Sequence, residues 1–230
     1  MKVITAFAIC GCAWAQSGVD RPQLGKMLDA NGAVHTVYGI AASVALGDAE
    51  AMDVLSSACS KTFCLAKTDT SLVTASGSVD APPGPAMFAF DGDTAFVWFP
   101  RSRQLAQWQN SVLTLIDSNV DGEVLSIGAN TGAVQFAVRR MNGVWIVNQD
   151  GSVAGSLPRS TRAVIFIPGG VVYATREEIV TGDLRFSLNG VTEFSQMSDS
   201  YLQVRAGGAD YSLRIEKGRE TLFQLPGVQQ

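Results

Sequence analysis

Histidine is almost absent: His35 is the only one in 230 residues. Zinc sites built on paired histidines, such as H-E-x-x-H, are therefore excluded. His35 itself falls in an alternating apolar run (AVHTVY, residues 33–38), so it reads as a strand residue and not as a general base. Charge is scarce too. Only 17% of the residues are charged, the net charge is −4, and the 12 arginines and 5 lysines are scattered. No basic stripe is available to neutralise phosphates, which argues against a nucleic-acid partner. No apolar run reaches the roughly 20 residues that a bilayer-spanning helix needs. No G-x-S-x-G occurs, since residues 151–155 read GSVAG. Gly25-Lys26 is followed by Met27, so no phosphate loop forms there, and no dinucleotide fingerprint is present.

What the chain does have is hydrophobic residues, 47% of the total, enough for a sizeable core. Met1-Lys2 gives a positive start, and residues 3–15 (VITAFAICGCAWA) are uncharged and mostly apolar. This fits a secretory signal over residues 1–15, with Ala13-Trp14-Ala15 as an A-x-A cleavage site before Gln16. The alternative is a lipobox at Ile9-Cys10-Gly11-Cys12, which would leave a lipid anchor on Cys12 at the mature N-terminus. Either reading makes the protein exported, periplasmic or extracellular, or else an envelope lipoprotein. Two cysteines remain beyond the leader. In an oxidising compartment Cys59 and Cys64 are expected to form a disulfide across a hairpin.

No stretch sustains helical periodicity. Residues 48–57 (DAEAMDVLSS) are the one helix candidate, with Met52, Leu55 and Cys59 on one face, against irregular strand. The rest offers short alternating or β-branched runs punctuated by Gly, Asn, Asp and Pro, an all-β pattern. Four segments share the order strand, glycine turn, strand. They begin near Phe88, Leu125, Val164 and Leu202, at spacings of 125−88 = 37, 164−125 = 39 and 202−164 = 38. A four-stranded propeller blade occupies about 40 residues. Residues 40–79 make a further, divergent blade carrying the cysteine pair. The expectation is thus an all-β propeller of about five blades over residues 32–227, preceded by a linker at 16–31 and followed by a tail at 228–230. Residues 33–38 would supply the strand missing from the last blade and close the ring, removing exposed edges. A β-sandwich is the alternative fold.

The repeat, together with GIAASVALGD at residues 39–48 and APPGPAMFAFDG at 81–92, resembles uncharacterised secreted bacterial β-propeller proteins. The resemblance implies the architecture and no activity. No Trp-Asp dipeptide closes a repeat, and Gly169-Gly170 and Gly207-Gly208 are all that is shared with kelch repeats.

Residues 117–122 (DSNVDG) match the opening of a calcium loop, D-x-[DN]-x-[DN]-G. Position 12, where an EF-hand places a bidentate glutamate, is Gly128, and the flanks read as strands, so an EF-hand is excluded. The residues read as a turn, with calcium held by Asp117, Asn119 and Asp121 as the alternative and no other cofactor expected. Asp91-Gly92-Asp93 is a hairpin signal. A glycan hydrolase would need two convergent carboxylates, and Asp48, Asp91, Asp93 and Asp183 are the acids available to it. Of the aromatics, Trp98 and Trp145 sit in apolar strands and should pack between blades, whereas Trp108, flanked by glutamines, is the candidate for an exposed contact. Arg101, Arg103, Arg139 and Arg140 follow second strands and should share one rim. These residues point to a non-enzymatic binding or scaffold protein with a protein or glycan ligand; the alternative is the hydrolase with carboxylates in the central channel.

Overall fold

Asp-Gly and Asn-Ser turns set the local structure. Gly92 has φ 61°, and Phe90 faces Ala95 across the tight loop it makes. Asn110 and Ser111 both take positive φ, 51° and 62°, and join strands paired at Gln109 and Val112. Two consecutive left-handed residues match the right-handed twist of the strands they connect. Repetition of such hairpins builds the molecule. The computed structural model describes residues 21–40 and 43–227. Among these are 23 strands and no helix, all in antiparallel meanders.

Six sheets result. Blade 1 has three strands, β1 (Gln23–Leu28), β2 (Val34–Ile40) and β3 (Ser43–Ala51). Blade 2 comprises β4 (Ser56–Cys59), β5 (Cys64–Lys67), β6 (Ser71–Thr74) and β7 (Gly77–Asp80). Blade 3 comprises β8 (Met87–Asp91), β9 (Thr94–Phe99), β10 (Gln104–Gln109) and β11 (Val112–Ile116). Blade 4 comprises β12 (Glu123–Asn130), β13 (Ala133–Arg140), β14 (Gly143–Asn148) and β15 (Val153–Leu157). Blade 5 comprises β16 (Ala163–Ile167), β17 (Gly170–Ala174), β18 (Glu178–Thr181) and β19 (Leu184–Ser187). Blade 6 comprises β20 (Val191–Ser198), β21 (Tyr201–Ala206), β22 (Ala209–Arg214) and β23 (Thr221–Gln224).

Each hydrophobic cluster lies between two successive blades, as a propeller requires. Leu65 and Leu72 meet Val97 and Trp108 between blades 2 and 3. Trp98 meets Phe136 edge-on, ring centres 5.4 Å apart, between blades 3 and 4. Ala137 and Val144 meet Val164, and Ile165 and Ile179 meet Leu202 and Val204, at the next two interfaces. Leu24, Met27 and Val37 meet Met197 and Leu225 between blades 1 and 6. Leu28, Val34 and Val54, with Ala66, form the small seam between blades 1 and 2. Facing sheets are thus arranged in a ring, and the two-layer sandwich is excluded.

Several expectations need correction. The blades number six, not about five. Residues 40–79 split between β2–β3 and blade 2, because β1 and β2 form a hairpin around Asn31-Gly32 and β3 completes that blade. Leu202 lies in β21, a second strand, whereas Phe88, Leu125 and Val164 lie in first strands; Gly207-Gly208 joins β21 to β22 with the same grammar. First strands actually begin at residues 56, 87, 123, 163 and 191, with spacings of 31, 36, 40 and 28. Closure also differs. Blade 6 already has its fourth strand, and residues 33–38 close the ring by packing a face, Val37, onto Met197 and Leu225. Finally, residues 48–57 form the end of β3, a loop and the start of β4, not a helix. Six residues of the stretch read as a linker form β1. The signal segment and Cys12 lie outside the described residues, as does the 228–230 tail.

Blade 1 is unlike the others in direction. The beginnings of β4, β8, β12, β16 and β20 surround one mouth of the central channel, the lower mouth here, and their ends surround the upper one. β1 runs the other way: Gln23–Lys26 stand beside the ends of β4 and β20, and Leu28 stands beside their beginnings. No residue of blade 1 lines the channel cavities, and β20 lies directly against β4. Among the described residues blade 1 therefore has the second, third and fourth strands of a blade, and β20 meets β4 on the channel side of β1. Gly25 makes this seam possible. A Cβ there would lie 2.2 Å from the Met197 carbonyl oxygen.

Candidate binding face

The upper mouth opens into a cavity of about 640 Å³. Phe88 and Phe90 of β8, Phe166 of β16, and the amides of Asn130 and Gln135 contribute to its wall. Phe166 reaches it across the bare backbone of Gly128, where a Cβ would lie 2.3 Å from the ring. Asp91 lines the same space, and its carboxylate accepts the Gly132 N–H at 2.6 Å, tying the first hairpin turns of blades 3 and 4 together. Gln135 donates to the Asn148 side chain at 3.1 Å, which fixes its orientation. Phe63 and Phe90 pack edge to face, 5.3 Å apart, beneath the blade 2 hairpin. The hairpin is pinned by the Cys59–Cys64 disulfide, and the two cysteines are directly paired in the strand register. Its tip, residues 60–62, lines both this cavity and a neighbouring cleft.

The lower mouth, about 400 Å³, is charged. Glu123 pairs with Arg139 at 2.9 Å and Glu193 with Arg205 at 3.2 Å. Withdrawal from water pushes the Glu193 carboxyl above its ordinary value; Arg205 pulls it back and Asp210 adds to the rise.

The four arginines expected at one rim all lie on the lower face, but the guanidinium groups of Arg103, Arg139 and Arg140 bond to the scaffold. Arg103 donates to the carbonyls of Val120 (2.7 Å) and Gly122 (3.2 Å). Arg140 donates to Asp121 O, and Arg139 to Arg162 O, both at 3.1 Å. Each caps a blade-to-blade loop whose backbone has no ladder partner. Arg101 lies across Gly84, its Cδ 2.6 Å from where a Cβ would stand. Trp108 is not an exposed contact. It is 5% exposed, because the two-residue period of β10 puts it on the same face as Ala106, toward blade 2, while its glutamine neighbours point the other way. Trp98 and Trp145 pack at the interface between blades 3 and 4, as expected.

Residues 117–122 form the passage from blade 3 to blade 4. Gln149 Nε2 donates to Asp117 O at 2.7 Å, and Asn119 N–H to Gln149 O at 2.9 Å. Among the described residues no group of three acidic, histidine or cysteine side chains is placed to hold a metal. Of the four acids considered for hydrolysis, Asp91 lines the channel and Asp93 stands in the same β8–β9 turn, whereas Asp48 is on the outer strand β3 and Asp183 is in the β18–β19 turn. Acids of different blades are not brought together among them.

One cluster went unread in the sequence. Gln203, 1% exposed, donates to Leu28 O at 2.7 Å and accepts the Leu28 N–H at 3.0 Å. Arg205 donates to the same carbonyl at 2.8 Å, and Asp210 accepts from both side chains.

No protein-family model matches the chain, and no curated protein matches it by sequence. Solved structures do. A chain of the nidogen/laminin complex superposes with a TM-score of 0.56 at 10% identity, over 88% of this chain and 93% of that one. PorZ, a surface component of the type-IX secretion system of Porphyromonas gingivalis, gives 0.49 at 12% identity over 91% of this chain. This chain spans 39% of PorZ's length. Apo AztD of Citrobacter koseri gives 0.46 at 11% identity over 90% of this chain and 71% of its own. The nidogen/laminin match is a likeness of fold and extends over nearly the whole of both chains. Among the described residues no helix is long and apolar enough to cross a membrane.

Proposed function

We infer that the protein is an exported, non-enzymatic binding module that takes a segment of a protein or a glycan into its upper mouth. The observation that carries this is the composition of the mouth: three phenylalanines beside three neutral amides (Asn130, Gln135 and Gln196), the engaged carboxylate of Asp91, and Asp199 and Lys61 at the edge, around a cavity of ligand size. Aromatic area with a few fixed polar groups is the usual make-up of a recognition site. The nidogen/laminin likeness supports a protein ligand, since a propeller of this size takes part in that complex. The disulfide supports export, because such bonds persist in oxidising compartments. The periplasm, the exterior or an envelope anchor through Cys12 all satisfy it.

The test is capture on a glycan array and on a peptide array, with wild type beside the double variant Asn130→Ala/Gln135→Ala. Both changes remove amides from the mouth without touching an interblade cluster. Loss of capture with an unchanged melting curve is expected. Equal capture by the two proteins would place recognition elsewhere.

A further inference from the structure

Among the described residues each blade ends in an outer strand with a free edge, and all but one of these edges are guarded. β3 carries Asp48 and Glu50 and is irregular in register, and β7 contains Gly77 and ends at Asp80. β15 has Gly155 beside a register shift, β19 carries Arg185, and β23 has only four residues. Charges, bulges and short length are the devices that keep edges from pairing. β11 has none of them. Val112–Ile116 reads VLTLI, five residues in unbroken register with β10, without charge, glycine or proline. Val112 is 58% exposed and Leu115 is 57% exposed.

The edge also has open peptide groups. Asn110 and Ser111 make a two-residue loop, so Gln109 and Val112 close it as a hydrogen-bonded pair. Alternation then turns the peptide groups of Val112, Thr114 and Ile116 to β10, and the N–H and C=O of Leu113 and Leu115 outward. No loop backbone among the described residues bonds to them.

We propose that this edge pairs with the same edge of a second copy of the chain, giving a two-fold dimer through β11. The strand is self-complementary about Thr114. In the antiparallel register centred there, Thr114 meets its own counterpart, Leu113 meets Leu115, and Val112 meets Ile116. Residues directly opposite share a face of the sheet. Exposed Leu115 then lies beside the other copy's Leu113, a residue packed on the cluster between blades 2 and 3. Exposed Val112 lies beside the other copy's Ile116, a residue packed on the cluster between blades 3 and 4. The outward peptides of Leu113 and Leu115 fall opposite one another and exchange N–H···O=C bonds. The nearest charge, Asp117, meets Ser111 and no like charge. A contact of this isologous kind consumes both free edges and stops at two copies. Strands β8, β9 and β10 separate β11 from the channel, so the contact does not draw on the upper mouth.

The test is sedimentation velocity on the disulfide-bonded protein over a range of concentration, beside Thr114→Lys and Thr114→Glu. Thr114 is exposed, so melting curves should stay unchanged. Only the two-fold register sets residue 114 opposite itself, and like charges there repel. The wild type should show a monomer–dimer equilibrium. Each single variant should dimerise about tenfold more weakly or worse, and an equimolar mixture of the two should recover the dimer. Under mild oxidation Thr114→Cys should yield a covalent dimer, and Val153→Cys, on the outer strand of blade 4, should not. The proposal is overturned if the wild type stays monomeric at every concentration or grows past the dimer. It is overturned equally if both charged variants dimerise like wild type, if mixing them restores nothing, or if Thr114→Cys stays unlinked.

Discussion

Gln203 and Leu28 are joined by a reciprocal pair of hydrogen bonds, carboxamide to peptide, across 175 residues of sequence. The side chain does at the ring's seam what a backbone strand does at every other blade. Both groups are buried, so neither has water as a substitute. Gln203→Leu would leave the Leu28 N–H and C=O short of a partner, with Arg205 still serving the carbonyl. Each unsatisfied buried group costs about 1–3 kcal/mol. Urea unfolding should show a loss of about 2–4 kcal/mol with an unchanged denaturant slope. A loss under about 0.5 kcal/mol would mean that the seam does not need the mimic.

Acid should open the same seam first. Burial by itself would raise the Asp29 carboxyl, but the N–H groups of Ala33 and Asn31 and the neighbouring His35 outweigh it and hold it below the ordinary value. Glu50 also loses water, and Lys26 and Thr36 outweigh that loss in the same way. Both groups bind fewer protons folded than unfolded in the window below about pH 4.5. Their stabilisation is complete above that window and is lost as pH falls through the folded values. Glu193 has the opposite sign: its raised carboxyl favours the folded state on the acid side of its own titration, and that contribution disappears as pH rises. Asp29 and Glu50 lie on blade 1, and Glu193 lies on blade 6. Amide exchange measured at about pH 3.5, inside this window, and at about pH 7, above it, should therefore show blade 1 losing protection before blades 3 and 4. Uniform loss over all six blades would refute this.

The tryptophans separate core from contact. Trp98 and Trp108 each face a neighbouring blade, so replacement by alanine should cost about 3–5 kcal/mol at either site. Trp145, half-buried at the edge of its cluster, should cost less. Thermal melts of the three variants give the ranking directly. A Trp108 variant that melts like wild type yet fails to bind would restore the surface role that its burial denies.

The sequence made the all-β class and the hairpin turns legible because alternation and Asp-Gly signals are local. Phe88, Leu125 and Val164 fall on first strands for that reason. The blade count failed where the signals were not local. QLGKML and VHTVYGI do flank a local Asn31-Gly32 turn, but what makes them part of a blade is packing on Met197 and Leu225, far along the chain. The arginine rim was readable as a place, since all four residues follow second strands. Its use was not, because the carbonyls it serves belong to loops about 17–23 residues away. Gln203 gave no signal at all. A buried glutamine in a strand is conspicuous only once its partner is known to be a strand edge.

The disulfide and the leader can be tested together. Cys59 and Cys64 close a loop with a sequence separation of 5, for which chain-entropy reasoning gives about 2 kcal/mol. Protein recovered from the exported fraction should show no free thiol at these positions, and Cys59→Ser/Cys64→Ser should unfold at lower urea by that amount. Mass spectrometry of the same material reads the mature end. A start at Gln16 fixes a secreted protein, and a diacylated or triacylated Cys12 fixes an envelope lipoprotein. Intact Met1 on protein whose two cysteines are reduced would remove export from the proposal. On the disulfide-bonded protein, reductant frees the hairpin tip at one wall of both upper cavities, and ligand capture should weaken in proportion to the thiols released.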